Sequence, residues 1–114
     1  MIRWLLAAAV LVVWSDAYGQ TIARVKAGTF TATVSWTCSC ANQAGFNIYR
    51  RLGAASSTFT RVGTTDAKTM TFVDSGLRPN TTYVYRVSAF NEFSEVVGPP
   101  TRAATGKPPK RAKA

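Results

Sequence analysis

Any chemistry in this chain would have to come from very few residues. It contains no histidine, and its five acidic residues face fourteen lysines and arginines, a formal net charge of +9. Beyond the first twenty residues the acids are Asp66, Asp74, Glu92 and Glu95. Hydrolysis or proton transfer needs a base, a nucleophile or two carboxylates held within reach of each other, and no spacing here pairs these four. Asp74 opens an Asp-Ser-Gly turn sequence, where its carboxylate is expected to bond local backbone. Gly-rich phosphate loops and zinc-ligand sets are absent from the sequence. These observations predict a protein that is not an enzyme and has neither cofactor nor metal.

Cys38 and Cys40 form a C-x-C. A disulfide or two buried thiols are the structural readings; a soft-metal site or intermolecular pairing are the functional ones. In a fully extended strand the two Cα atoms would lie about 6.6 to 6.8 Å apart, at the outer limit for a disulfide, so a bond requires the chain to bend there. A loop this small would add little chain-entropy stabilisation.

The remaining chemistry is cationic. Residues 106 to 114 carry Lys107, Lys110, Arg111 and Lys113 with no acid, and Pro108 and Pro109 favour extended backbone. This stretch is expected to be a disordered basic tail. It suits weak contact with anionic polymers or with anionic lipid, at about 1 kcal/mol per basic residue near a charged surface. No nucleic-acid motif accompanies the charge, so specific nucleic-acid recognition is not expected. Asn80-Thr81-Thr82 reads as a glycosylation sequon or, equally, as a turn.

At the other end, Met1-Ile2-Arg3 is a short positive segment and Trp4 to Trp14 is an unbroken apolar run. The polar stretch from Ser15 to Gly19 follows, with small residues at Ala17 and Gly19. This is the pattern of a cleavable signal peptide over residues 1–19, cut before Gln20 or, as the close alternative, after Ala17. Eleven helical residues reach about half of a roughly 30 Å hydrocarbon core, which argues against a retained anchor. Cleavage removes Arg3 and Asp16 together and leaves the balance at +9. The expected location is secreted: extracellular, periplasmic or at the cell surface.

Between leader and tail, residues 20–105 read as one all-β domain. Ala32, Val34 and Trp36 alternate with Thr31, Thr33 and Ser35, as in a half-buried strand. Phe46 and Ile48 face inward on the next. Phe59 to Val62 is a short strand and Gly63 to Lys68 a polar turn, with another strand beginning at Met70 and Phe72. The longest alternation sets Tyr83, Tyr85, Val87 and Ala89 against Val84, Arg86, Ser88 and Phe90. A last strand starts at Val96-Val97, before Pro99-Pro100.

Trp36, the F-x-I-Y-R of Phe46 to Arg50 and the run F-x-D-x-x-L-x-P-x-T-x-Y-x-Y-x-V-x-A-x-N from Phe72 to Asn91 together resemble the fibronectin type III family. The resemblance implies a seven-stranded, immunoglobulin-like β-sandwich. It also implies a tyrosine corner at Leu77, Pro79, Thr81 and Tyr83, with the Tyr83 hydroxyl tied to upstream backbone. Two features depart from the family: Ile22 to Ala27 lacks proline, and the loop Asn91-Glu92-Phe93-Ser94-Glu95 lacks glycine and any R-G-D. The third and sixth strands are neighbours in this fold, so Tyr49, Arg51, Arg86 and Phe90 should share an outer face with Phe93 at its rim. Aromatic and arginine side chains concentrate where proteins meet partners. The expected function is therefore a non-catalytic secreted or cell-envelope module for protein or glycan contact in adhesion or surface assembly, with self-assembly as one form. A secreted polyanion-binding or soft-metal-binding factor, acting through the tail or the cysteines, is the alternative.

Overall fold

The computed structural model describes residues 21–40, 42–54 and 57–108. The leader over residues 1–19 and the tail positions Lys110, Arg111 and Lys113 lie outside the described residues. The described chain is all strand and loop. Its strands are β1 (Thr21–Ala27), β2 (Ala32–Cys38), β3 (Gly45–Leu52), β4 (Thr60–Asp66), β5 (Thr71–Asp74), β6 (Thr82–Phe90), β7 (Glu95–Val97) and β8 (Thr101–Ala104). They form two antiparallel sheets, one ordered β1-β2-β5 and the other β4-β3-β6-β7, with β8 also paired to β6.

The core lies between the sheets where the period-two pattern places it. Ala32, Val34 and Trp36 come from β2, Phe46 and Ile48 from β3, and Tyr83, Tyr85, Val87 and Ala89 from β6. Trp36 meets Phe46 edge to face, centroids 5.4 Å apart, a geometry the ring quadrupoles favour. Full burial of a side chain of this size contributes about 1.5 to 3 kcal/mol. The tyrosine corner is formed: the Arg78 backbone N–H donates to the Tyr83 hydroxyl at 3.0 Å, and Leu77 is buried beside it.

The structure departs from expectation in four places. Eight strands replace seven, because the last strand is broken between β7 and β8. Pro99 and Pro100 have no N–H to donate to β6, and Gly98 runs so close to Thr21 that a Cβ would strike its backbone oxygen. Residues Gly63 to Asp66, expected as a turn, continue β4. Opposite Ile48 and Tyr49 the register shifts, leaving Val62 as an extra residue and setting Arg61 beside Tyr49. Gly63 suits the strand because Phe72 from the other sheet fills the space its side chain would need.

The third departure is in β6, where Val84 and Ser88 on the solvent side are as buried as the inward residues. This strand is central, so long neighbours cover it: Arg51 and Arg102 flank Val84 in register, and Glu95 caps Ser88. The fourth is Asp74. It does not bond local backbone as a turn residue. It is buried, and its Oδ2 accepts from Arg50 Nη1 at 2.7 Å and from the Tyr85 hydroxyl at 2.6 Å. The turn role belongs to Asp66, whose Oδ1 accepts from the Lys68 and Thr69 N–H groups; Thr69 and Lys68 hold this carboxyl below its ordinary pKa.

Candidate functional site

The outer face of the larger sheet is built by the pairing of β3 with β6. Tyr49 lies opposite Arg86, Asn47 opposite Ser88, Arg51 opposite Val84 and Gly45 opposite Phe90. Strand alternation turns all of these away from the core. Arg86 is held between two rings, its guanidinium carbon 4.0 Å from the Phe59 centroid and 5.5 Å from that of Tyr49. Arg51 approaches the same Phe59 ring at 5.2 Å. Phe59 thus joins Arg51 to Arg86, and Arg86 reaches on to Tyr49; the sequence places Phe59 only in a short strand. A lone aromatic between Thr58 and Thr60 was the available signal.

One acid organises the neighbouring part of this face. Glu95 Oε2 accepts from the Tyr49 hydroxyl at 2.6 Å, from Asn47 Nδ2 at 3.1 Å and from the Ser88 hydroxyl. Thr64 donates to Asn47 Oδ1 at 2.8 Å, so the network crosses β4, β3, β6 and β7. Partial burial works to raise the pKa of Glu95, but the hydrogen bonds from Ser88, Tyr49 and Asn47 outweigh it and hold the carboxyl below its ordinary value. The bond to Glu95 in turn raises the Tyr49 hydroxyl, with burial adding to the shift. Both directions keep a charged acceptor facing a neutral donor near pH 7.

Phe90 and Phe93 do not join the Tyr49 stack. Phe90 covers Gly45, where an added Cβ would lie 3.0 Å from its Cζ. Phe93 is 84% exposed and lines an open cleft with Asn42, Gln43, Ala44, Asn91 and Glu92. Its loop turns without glycine because Asn91 Oδ1 accepts from the N–H groups of Phe93 and Ser94. Next to this end Cys38 and Cys40 are joined as a disulfide. Their Cα atoms are 5.1 Å apart, closer than an extended strand allows. Among the described residues no group of three or more His, Cys, Asp or Glu could hold a metal ion. Asn80, exposed at φ 53°, occupies a turn. Lys107, also exposed, accepts through its carbonyl from the Thr29 hydroxyl at 3.3 Å.

The two-sheet sandwich has counterparts among solved structures. The third fibronectin III domain of a human protein superposes with a TM-score of 0.64 at 16% identity, covering 87% of this chain and 92% of that domain. The sandwich has the fibronectin type III fold. A β-1,2-glucanase from Parabacteroides distasonis contains a similar region, with a TM-score of 0.68 at 15% identity over 82% of this chain and 14% of the enzyme. No family model matches the chain. Among curated proteins, exoglucanase B of Cellulomonas fimi is 40% identical over 80 residues. The match takes in 66% of this chain but only 6% of the exoglucanase. Each enzyme therefore shares with this fibronectin type III sandwich only a small part of its length.

Proposed function

We propose that this chain is an exported, non-catalytic module that contacts glycans through the outer face of its larger sheet. The observation that carries the reading is the stack of Tyr49, Arg86, Phe59 and Arg51, fixed beside the Glu95 network on a face that no other strand among the described residues covers. Planar guanidinium groups next to aromatic rings provide contact area and directed donors at little entropic cost, because the stack already holds them in place. The likeness to small parts of an exoglucanase and a β-1,2-glucanase supports a binding accessory of glycan-rich surroundings. The apolar run from Trp4 to Trp14 supports export.

The test is binding of residues 20–114 to a panel of insoluble and soluble polysaccharides, with the Tyr49→Ala/Phe59→Ala variant alongside. We expect retention of the parent and at least tenfold weaker retention of a variant whose circular dichroism is unchanged. Equal retention of the two proteins, or no retention of the parent by any polysaccharide, would overturn the reading.

A further inference from the structure

Three of the four acids of the described sandwich sit toward one end of it. Asp66, Glu92 and Glu95 lie toward the Gly45 end of β3, since Gly45 pairs with Asp66 and with Phe90, and Phe90 pairs with Glu95. The Leu52 end, about 23 Å away at 3.3 Å per residue, carries arginines, with Asp74 bound to one of them. Arg50, Arg51 and Arg78 line a cleft of about 600 Å³ together with Ser57, Thr58 and Thr60, a size ordinary for small-ligand sites. Arg102 belongs to the same end: its Nη1 stands 3.2 Å from where a Cβ on Gly53 would be.

These groups differ in how they are held. Arg50 is bound to Asp74, the only ion pair among the described residues. Arg51 Nη1 donates to the carbonyls of Leu52 and Ala54. Arg78 and Arg102 are exposed and form no ion pair among the described residues. The end therefore offers two charges set in fixed positions and two open to a ligand. The sequence also returns here on leaving the sandwich. Thr105 Oγ1 donates to the Arg78 carbonyl at 2.6 Å, and the Asn80 N–H donates to the Gly106 carbonyl at 3.0 Å. Lys107 follows directly.

We propose that this pole is a binding site for an acidic polysaccharide. Guanidinium forks match carboxylates in bidentate geometry, and the hydroxyls of Thr58 and Thr60 suit the alternating donors and acceptors of a sugar ring. Single-stranded nucleic acid would need open ring faces for base stacking, but Tyr83 lies under Arg50 and Phe59 under Arg51 and Arg86. An anionic bilayer attracts basic residues by charge alone, whereas this cleft sets the hydroxyls of Ser57, Thr58 and Thr60 beside its arginines. Arg51 belongs both to this cleft and to the Tyr49 stack, but Arg78 and Arg102 lie outside the stack, so variants of those two test this site separately from the outer-face reading.

The experiment measures binding of residues 20–114 to polygalacturonate by titration calorimetry at low salt. The parent is compared with Arg78→Gln/Arg102→Gln, with Arg24→Gln/Lys68→Gln as a charge-matched control away from the cleft, and with a chain ending at residue 108. A neutral dextran, single-stranded DNA and phosphatidylglycerol vesicles serve as alternative ligands. We expect the cleft variant to bind at least tenfold more weakly, the control within threefold of the parent, and the shortened chain to retain a measurable site that the cleft variant lacks. Unfolding midpoints check that both double variants remain folded. Equal losses in the two double variants would mean diffuse attraction and overturn the site. So would loss of all binding on removal of residues 109–114, or tighter binding of DNA, vesicles or dextran than of polygalacturonate.

Discussion

Asp74 shows how much one buried carboxylate can organise. It receives the guanidinium of Arg50, which also lies 5.5 Å over the Tyr83 ring, and the hydroxyl of Tyr85, a fully buried ring. Burial first, and then the bond to Asp74, push the Tyr85 hydroxyl far above the ordinary tyrosine range, so it remains a donor at any working pH. Asp74→Ala would strand both donors. Breaking a fully buried pair costs about 3 to 5 kcal/mol. The Arg50 side chain is 31% exposed, which lets water replace part of the loss, so about 3 kcal/mol is expected. Tyr85→Phe keeps the ion pair and should cost only about 1 kcal/mol, a typical net hydrogen bond. Urea unfolding of the two variants checks the order; equal losses would show that the hydroxyl, rather than the carboxylate, dominates the cluster.

Among the elements, β7 is short, and Glu95 ties it to the sheet in addition to its ladder with β6. The carboxyl titrates below its ordinary value of 4.5 in the folded chain, so at intermediate pH the unfolded chain binds more protons and stability rises with pH. Its contribution is complete above the unfolded value and is lost as the pH falls through the lower folded one. As the pH falls below about 5 the parent should therefore lose more stability than Glu95→Gln, and added salt should narrow the gap because the carboxylate faces solvent. Parallel stability curves for the two proteins would remove Glu95 from this role. The sequence made β2 and the inner face of β6 legible, because one buried face imposes a period of two. It did not reveal that Val84 and Ser88 are covered as well, since that depends on which strands flank β6. Nor did it reveal the Phe59 stack or the Asp74 cluster. Both join residues from separate segments, and no local pattern in either segment distinguishes a bonded side chain from a solvated one.

At the scale of the molecule, where the fold ends matters as much as what it contains, because a small domain has little stability to spare. The eight strands finish at Ala104, yet the next residues close one pole of the sandwich. Thr105 Oγ1 accepts from the Thr81 N–H at 2.9 Å and donates to the Arg78 carbonyl. Gly106 then bridges the first hairpin and the tyrosine-corner loop, donating to the Gly28 carbonyl and accepting from the Asn80 N–H, both at 3.0 Å. A chain of residues 20–108 should unfold with the same midpoint as residues 20–114, because every one of these bonds is kept. A chain of residues 20–104 loses them. At about 1 kcal/mol for each net hydrogen bond, and roughly 4 to 8 °C for each kcal/mol in a domain of this size, its melting temperature should fall by about 10 °C or more. Calorimetry on the three chains distinguishes the outcomes. A midpoint unchanged on cutting back to Ala104 would mean that water replaces these bonds without loss, and that the root of the basic segment is not part of the folded unit.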